Sequence, residues 1–270
     1  GELLEQPNLG SVSCEAGLNG VVGKGLIDAR VDGSVSQLEF NGYDYDSLRF
    51  GGRLTEKTFN GHVRADDPAL RFDFQGEVGF NPERPHYDFD LDLIHADLAR
   101  MHLNRRDSVS VLSALVEARA SGRTLDDLNG KVTVGDVVYR YNADTLRTTR
   151  LTLDGQNSAG SKYLSLQSEF ADATFRSRTD YKTVFEYLRS SLEKYIPLLY
   201  DERKARKRAA GAVSVVDDYS VLSVDVKHFT PVADAVADGL QIADGSQLRL
   251  LFNPANDKLS LKATSEYIER

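Results

Sequence analysis

Side chains able to do chemistry are plentiful in this sequence but poorly arranged for it. The five histidines are His62, His86, His95, His102 and His228. None stands in an HExxH pattern or beside a second ligand at metal spacing, so each reads as an exposed or hydrogen-bonded imidazole. The best carboxylate set is Asp88, Asp90 and Asp92, alternating along one expected strand and therefore sharing a face. Such a row could hold a hard cation such as calcium. It lacks the glycine and closing glutamate of a calcium loop, and the competing reading is a solvated sheet face opposite arginines on the next strand. The run Gly20-Val21-Val22-Gly23-Lys24-Gly25 mimics a phosphate loop only superficially, for no GxxxxGK[ST] occurs. There is no GxSxG elbow, and with 41 acidic residues a carboxylate pair could be drawn almost anywhere. Cys14 is the only cysteine, which excludes an internal disulfide or a cysteine metal cluster. Nothing in this set argues for catalysis, a metal or a cofactor.

Composition narrows the classes further. The chain has 270 residues, 41% of them hydrophobic and 27% charged, enough for a substantial core and against global disorder. A net charge of −8 argues against a nucleic-acid binder, which needs a basic face. No apolar run approaches the ~20 residues of a membrane-spanning helix, and no charged-then-apolar signal peptide opens the sequence. The first residue is Gly1 and the last four are Tyr267-Ile268-Glu269-Arg270. The chain therefore reads as a piece of a longer protein.

The elements that must position these residues follow from periodicity. From about residue 18 to 178 the period is two. Phe72, Phe74, Val78 and Phe80 share one parity against Arg71, Asp73 and Glu77. Tyr87, Phe89, Leu91 and Leu93 alternate with the aspartates, and Leu164, Leu166 and Phe170 alternate with Ser165, Gln167 and Glu169. Further strands are expected over 24–32, 36–46, 47–54, 58–65, 109–121, 130–141 and 146–154. Turns such as Asp66-Asp67-Pro68 and Asn81-Pro82-Glu83-Arg84-Pro85 separate them, which suggests an antiparallel meander. Glycines inside strands (Gly42, Gly51, Gly52, Gly61, Gly76) favour bulges and strong twist, hence a curved sheet.

The pattern breaks once. Residues 180–208 read as a helix with Tyr181, Val184, Phe185, Leu188, Leu192, Tyr195, Ile196 and Leu199 on one stripe. Thr179 or Asp180 would cap it, Pro197 would kink it, and Arg203, Lys204, Arg206, Lys207 and Arg208 form a basic tail favoured by the helix dipole. That tail could lie on an anionic membrane; the alternative is a stripe packed on the sheet with solvated charges. Strand 219–227, a segment 230–239 and a hairpin (Leu248-Leu250-Phe252 against Leu259-Leu261-Ala263) follow. This divides the chain into β repeats over 1–178, the helix with its tail over 179–211, and closing strands over 212–270.

About ten strands of this kind generate one continuous apolar face, too large to be left bare on a soluble monomer. It could close into a sandwich, face lipid as a transmembrane barrel, or curl into a trough covered by a helix, a partner or lipid. The barrel is disfavoured, because tryptophan is absent and a long helix interrupts the strands. Period alone does not separate the other two.

Several segments look familiar in their order. Ser34-Val35-Ser36-Gln37-Leu38-Glu39-Phe40-Asn41-Gly42-Tyr43-Asp44-Tyr45 precedes Leu48-Arg49-Phe50-Gly51-Gly52-Arg53-Leu54, Phe59-Asn60-Gly61-His62-Val63 and Asp66-Asp67-Pro68-Ala69-Leu70. Leu98 through Asp107, Leu128-Asn129-Gly130, Gln156-Asn157-Ser158 and Ser168-Glu169-Phe170 continue the series. Together, over about residues 18–270, they resemble the repeats of the TamB family, within the AsmA-like group and nearest its Bacteroidetes-like branch. The resemblance implies a mainly β fold, an elongated, twisted antiparallel sheet curled into a taco-like groove with an apolar interior. It implies a location in the periplasm of a Gram-negative bacterium, within a protein anchored in the inner membrane that reaches towards an outer-membrane barrel partner. The activity it implies is non-enzymatic, moving phospholipid and assisting outer-membrane protein assembly. On that reading Phe72, Phe74, Phe80, Phe89, Leu91, Leu93, Leu164, Leu166 and Phe170 line a groove for acyl chains. The competing expectation is a closed, dry β scaffold that pairs its edges with nascent barrel strands.

Overall fold

The computed structural model describes residues 9–23, 26–158, 160–195, 218–230 and 241–269. The protein is mainly β. Its long strands come first: β1 (Leu9–Gly23), β2 (Leu26–Phe40), the short β3 (Tyr43–Tyr45), β4 (Leu48–Thr55), β5 (Thr58–Asp66), β6 (Leu70–Gly79), β7 (His86–Asp97) and β8 (Ser110–Ser121). They continue with β9 (Asn129–Tyr141), β10 (Asp144–Ser158), β11 (Ser161–Ser168) and β12 (Ala171–Ser177). The helix α1 (Tyr181–Tyr195) then precedes β13 (Ser220–Val226), β14 (Gln241–Ile242), β15 (Gln247–Asn253), β16 (Lys258–Thr264) and β17 (Ile268–Glu269).

One 15-stranded antiparallel sheet contains every strand except β14 and β17, which pair with each other. Its path runs β1-β2-β4 and onward in chain order to β16, and β1 does not meet β16. The result is an open, curled sheet rather than a closed barrel.

The register explains why the face is continuous. Residues directly opposite each other across a ladder point to the same side. Val63 stands opposite Phe74, Phe74 opposite Leu91, Leu91 opposite Val116, Val116 opposite Val134, and Val134 opposite Leu151. A second row starts at Leu18 and Val31, passes through Gly52, Gly61, Gly76 and Phe89 to Ala118 and Val132, and ends with Leu153, Leu166, Ala173, Val224, Leu248 and Ala263. The reverse face carries the complementary row, with His62 opposite Gln75, Gln75 opposite Asp90 and Asp90 opposite Glu117.

Curvature has an identifiable seat. In the second row, Gly52, Gly61 and Gly76 lie side by side on three strands, so no side chain holds the backbones apart there. A Cβ at Gly76 would lie 2.4 Å from the Phe89 Cα, and Gly76 has φ of 144°, a conformation open to glycine. The Phe89 and Phe74 rings, 5.1 Å apart, flank this creased patch.

The sequence reading of two strands over 24–32 and 36–46 is corrected: β2 runs unbroken from Leu26 to Phe40 and turns only at Asn41-Gly42. Gly33-Ser34 does not interrupt it because the strand is held by neighbours on both sides. The pairing also starts earlier than residue 18, at Leu9. The expected segment over 230–239 and Ile196, Pro197 and the basic residues Arg203, Lys204, Arg206, Lys207 and Arg208 lie outside the described residues, apart from Thr230.

Candidate functional site

The apolar face is covered unevenly. At its C-terminal end α1 sits on it: Tyr181, Val184 and Leu188 are buried together with Phe175, Leu250 and Phe252. Val184 and Phe252 are wholly inaccessible. The Phe175 ring lies 5.0 Å from that of Tyr181 and 6.2 Å from that of Phe252. The helix therefore occupies the place that a ligand or a second sheet would otherwise fill.

A polar latch fixes the start of this helix. The Tyr181 N–H donates to the Asp126 carboxylate at 2.8 Å, so the cap comes from the turn between β8 and β9, not from the helix's own flank. Lys162, its side chain only 13% exposed, donates to Asp126 at 2.8 Å and also to Asp180. Burial alone would lower the Lys162 ammonium, but the bonds to Asp126 and Asp180 prevail and raise it. Both carboxylates also favour the positive end of the helix dipole. Burial, aided by the Asp126 charge, pushes the Tyr181 hydroxyl up to about 12, and that hydroxyl has no hydrogen-bond partner among the described residues.

A second buried cluster closes one rim. Tyr45, Ala69, Ala96 and Met101 pack there against Leu48, Leu70, Leu93 and Leu112. Met101 comes from the connection between β7 and β8, which folds over the ends of these strands.

Between the two clusters lies an uncovered stretch from β4 to β10. Phe72, Phe74, Phe89 and Leu91 are each half-buried there, as are Val116, Val134 and Leu151. Their flanks are shielded by neighbours and by the curl of the sheet. This stretch is an apolar trough, and α1 plugs its C-terminal continuation.

The groove residues named from the sequence thus separate into groups. Phe72, Phe74, Phe89 and Leu91 come together on the open stretch, while Leu93 packs at its margin against the cluster of Met101. Leu164 stands opposite Phe175 and packs against the helix-covered cluster, with Leu166 one row away. Phe80 does not belong with them: it follows the end of β6 and is 45% exposed. Phe170 lies in the turn after β11, where its carbonyl accepts from the Lys227 and His228 N–H groups. On the helix, Tyr181 and Leu188 face the sheet, whereas Phe185 is 54% exposed although its ring stacks 6.3 Å from that of Phe175. Leu192 belongs to α1, but its side chain lies outside the described residues, as does Ile196. Val184 and Phe252 were visible in the sequence as stripe and strand residues; their joint burial was not, since 68 positions of chain separate them.

The charged constellations resolve into structure. Arg119, on the strand beside β7, bridges Asp88 at 2.8 Å and Asp90 at 2.9 Å, matching the expected solvated face. His86 meets Glu77 at 2.7 Å, and His228 meets Asp244 at 3.1 Å. No group of three or more potential metal ligands occurs among the described residues, and nothing positive points to an enzyme. No described helix is long and apolar enough to cross a membrane.

Comparison with protein-family models, with curated proteins and with solved structures gives no match. The functional argument therefore rests on the site itself.

Proposed function

We propose that the open stretch of this face holds the acyl chains of phospholipid. In this reading the chain is a periplasmic part of a TamB-like bridge that moves lipid towards the outer membrane and supports outer-membrane protein assembly. One observation carries it: an in-register apolar face runs the length of the sheet, yet its middle is neither packed by a second sheet nor covered by the helix. Each buried methylene of a bound chain would contribute about 0.8 kcal/mol. Adjacent rows offer near-equivalent surfaces, so a chain could move from strand to strand without crossing a large barrier. No group needs to react, and the mechanism is one of burial and passage.

The test is native mass spectrometry with lipid extraction on the purified chain, beside Leu91→Asp and Phe74→Asp. The expected outcome is co-purifying phospholipid that both variants lose. Lipid-free protein that takes up no acyl probe would sink the reading.

A second reading has its own observation. Among the described residues the outermost strands β1 and β16 are each paired along one edge only, and Leu18 and Leu261 on them are 64% and 49% exposed. Such edges suit pairing with strands of an outer-membrane client, with the trough as an incidental consequence of curvature.

A further inference from the structure

The connection between β7 and β8 is held in place from two sides. Met101 is buried at the trough's rim with Tyr45, Ala69 and Ala96. The Asn41 side-chain amide donates to the Met101 and His102 carbonyls at 3.4 and 2.9 Å, and His102 Nδ1 meets the Asn41 carbonyl at 3.2 Å. His102 itself has a left-handed φ of 59°. The loop is therefore pre-set, with residues on either side of Met101 one position from the apolar margin.

A hollow of about 460 Å³ opens on this loop, lined by Arg100, His102 and Arg105 together with Asp97, Asn104 and Asp107. The Asp107 carboxylate is spent: it accepts from Asn104 and Asn142 at 2.9 Å each and pairs with Arg106. One Asp97 oxygen accepts the Arg100 N–H at 3.0 Å. Neither the Arg100 nor the Arg105 guanidinium has a carboxylate within ion-pair distance among the described residues. Arg100 is instead placed over the Tyr43 ring, 5.7 Å from its centroid. Arg100 and Arg105 thus bring two guanidiniums with no carboxylate partner among the described residues to a hollow where Asp97 is the carboxylate left to oppose them, beside an apolar trough. Planar guanidiniums bind phosphate oxygens bidentately.

We propose that this rim hollow binds the phosphate of a glycerophospholipid headgroup through Arg100 and Arg105, while the acyl chains enter the trough beside it. The proposal rests on the acyl-chain reading of the trough. It adds polarity to that reading, since a ligand held by its phosphate at this rim lies with its chains across β6 to β8.

The experiment titrates the purified chain with three probes: dihexanoyl phosphatidic acid, dihexanoylglycerol and glycerol 3-phosphate. The chain is compared with Arg100→Gln/Arg105→Gln and with Leu91→Asp. The parent should prefer phosphatidic acid to diacylglycerol by about tenfold at low salt. The double arginine variant should bind both equally, with an unchanged melting temperature because both side chains are exposed. Arg100→Lys/Arg105→Lys should restore part of the preference. Leu91→Asp should lose both lipids and keep weak glycerol 3-phosphate binding. Equal affinity of the parent for the two lipids, or a preference that survives in the double glutamine variant, overturns the headgroup site while the trough stands. If only glycerol 3-phosphate binds the parent, the trough reading falls and the hollow is a site for free phosphate, which also overturns the headgroup assignment. If nothing binds, both fall.

Discussion

The helix-covered end and the open stretch are built from the same rows of the same sheet, yet they differ in what holds them together. At the covered end, Phe252 and Val184 have no solvent access, and side-chain packing carries the stability. In the open stretch Phe74 and Leu91 are half-buried, and the ladder and the glycine crease hold the shape. A period-two sequence thus makes a face, and a non-local element decides whether that face is buried as core or left uncovered.

The comparison is most easily broken by truncating one large side chain in each region. Phe252→Ala should cost about 3–5 kcal/mol, whereas Phe74→Ala, deleting a side chain only partly removed from water, should cost roughly 1 kcal/mol. Urea unfolding with matched slopes decides it, and equal costs would abolish the distinction. Acyl-probe binding should show the opposite order, with Phe74→Ala the weaker binder.

The backbone of the open stretch should be less forgiving than its side chains. Gly76→Val places a side chain against the Phe89 backbone at a φ of 144°, and should cost roughly 3 kcal/mol from strain and crowding. A Gly76→Val chain as stable as the parent would show that the crease is not where the curvature resides.

The latch sharpens the contrast locally. Lys162→Met removes the partner of Asp126 and Asp180, at about 1–2 kcal/mol given that Asp180 is largely exposed. Hydrogen exchange should accelerate over residues 181–188 and stay unchanged over β4 to β8. Acceleration across the whole sheet would mean that α1 is integral to the fold.

The smallest effect is alkaline. The Tyr181 pKa is raised in the folded chain from 10.0 to about 12, so its contribution is complete below pH 10 and lost as pH climbs towards 12. Lys162, also raised, acts in the same direction. An ultraviolet titration should therefore show late tyrosinate formation, part of it absent in Tyr181→Phe. That variant should be as stable as the parent or slightly more so, because the lost hydroxyl is buried without a partner among the described residues.

Much of this was legible in the sequence, for local reasons. The alternation in β6 and β7 fixed which residues share a face, and in-strand glycines signalled curvature. The part of β1 below residue 18 was missed although Val12, Cys14, Ala16 and Leu18 alternate there with Ser11, Ser13 and Glu15, because Cys14, Ala16 and the neighbouring Gly10 and Gly17 make that row small and its register shifts after Ser13. Phe80 obeyed the parity of β6 but lies beyond its last paired residue, where the chain turns. The seat of α1 was unreadable, since it depends on Phe252 and on Asp126, 55 positions from the backbone it caps. So was the choice between sandwich and trough: alternation is identical in both until a covering layer is located.

The unbroken chain-order path of the large sheet has a kinetic consequence. Almost every ladder joins strands adjacent in sequence, so closing each one costs only a short loop, and contact order stays low for so large an all-β assembly. Growth should resemble a zipper, with nucleation at any hairpin and propagation by nearest-neighbour terms, as in solenoids. The longest excursion is between β12 and β13, where the chain leaves the sheet to form α1 before returning. That junction is the natural slow step, and a refolding pulse-labelling trace should protect β6 to β9 before β13 and β15.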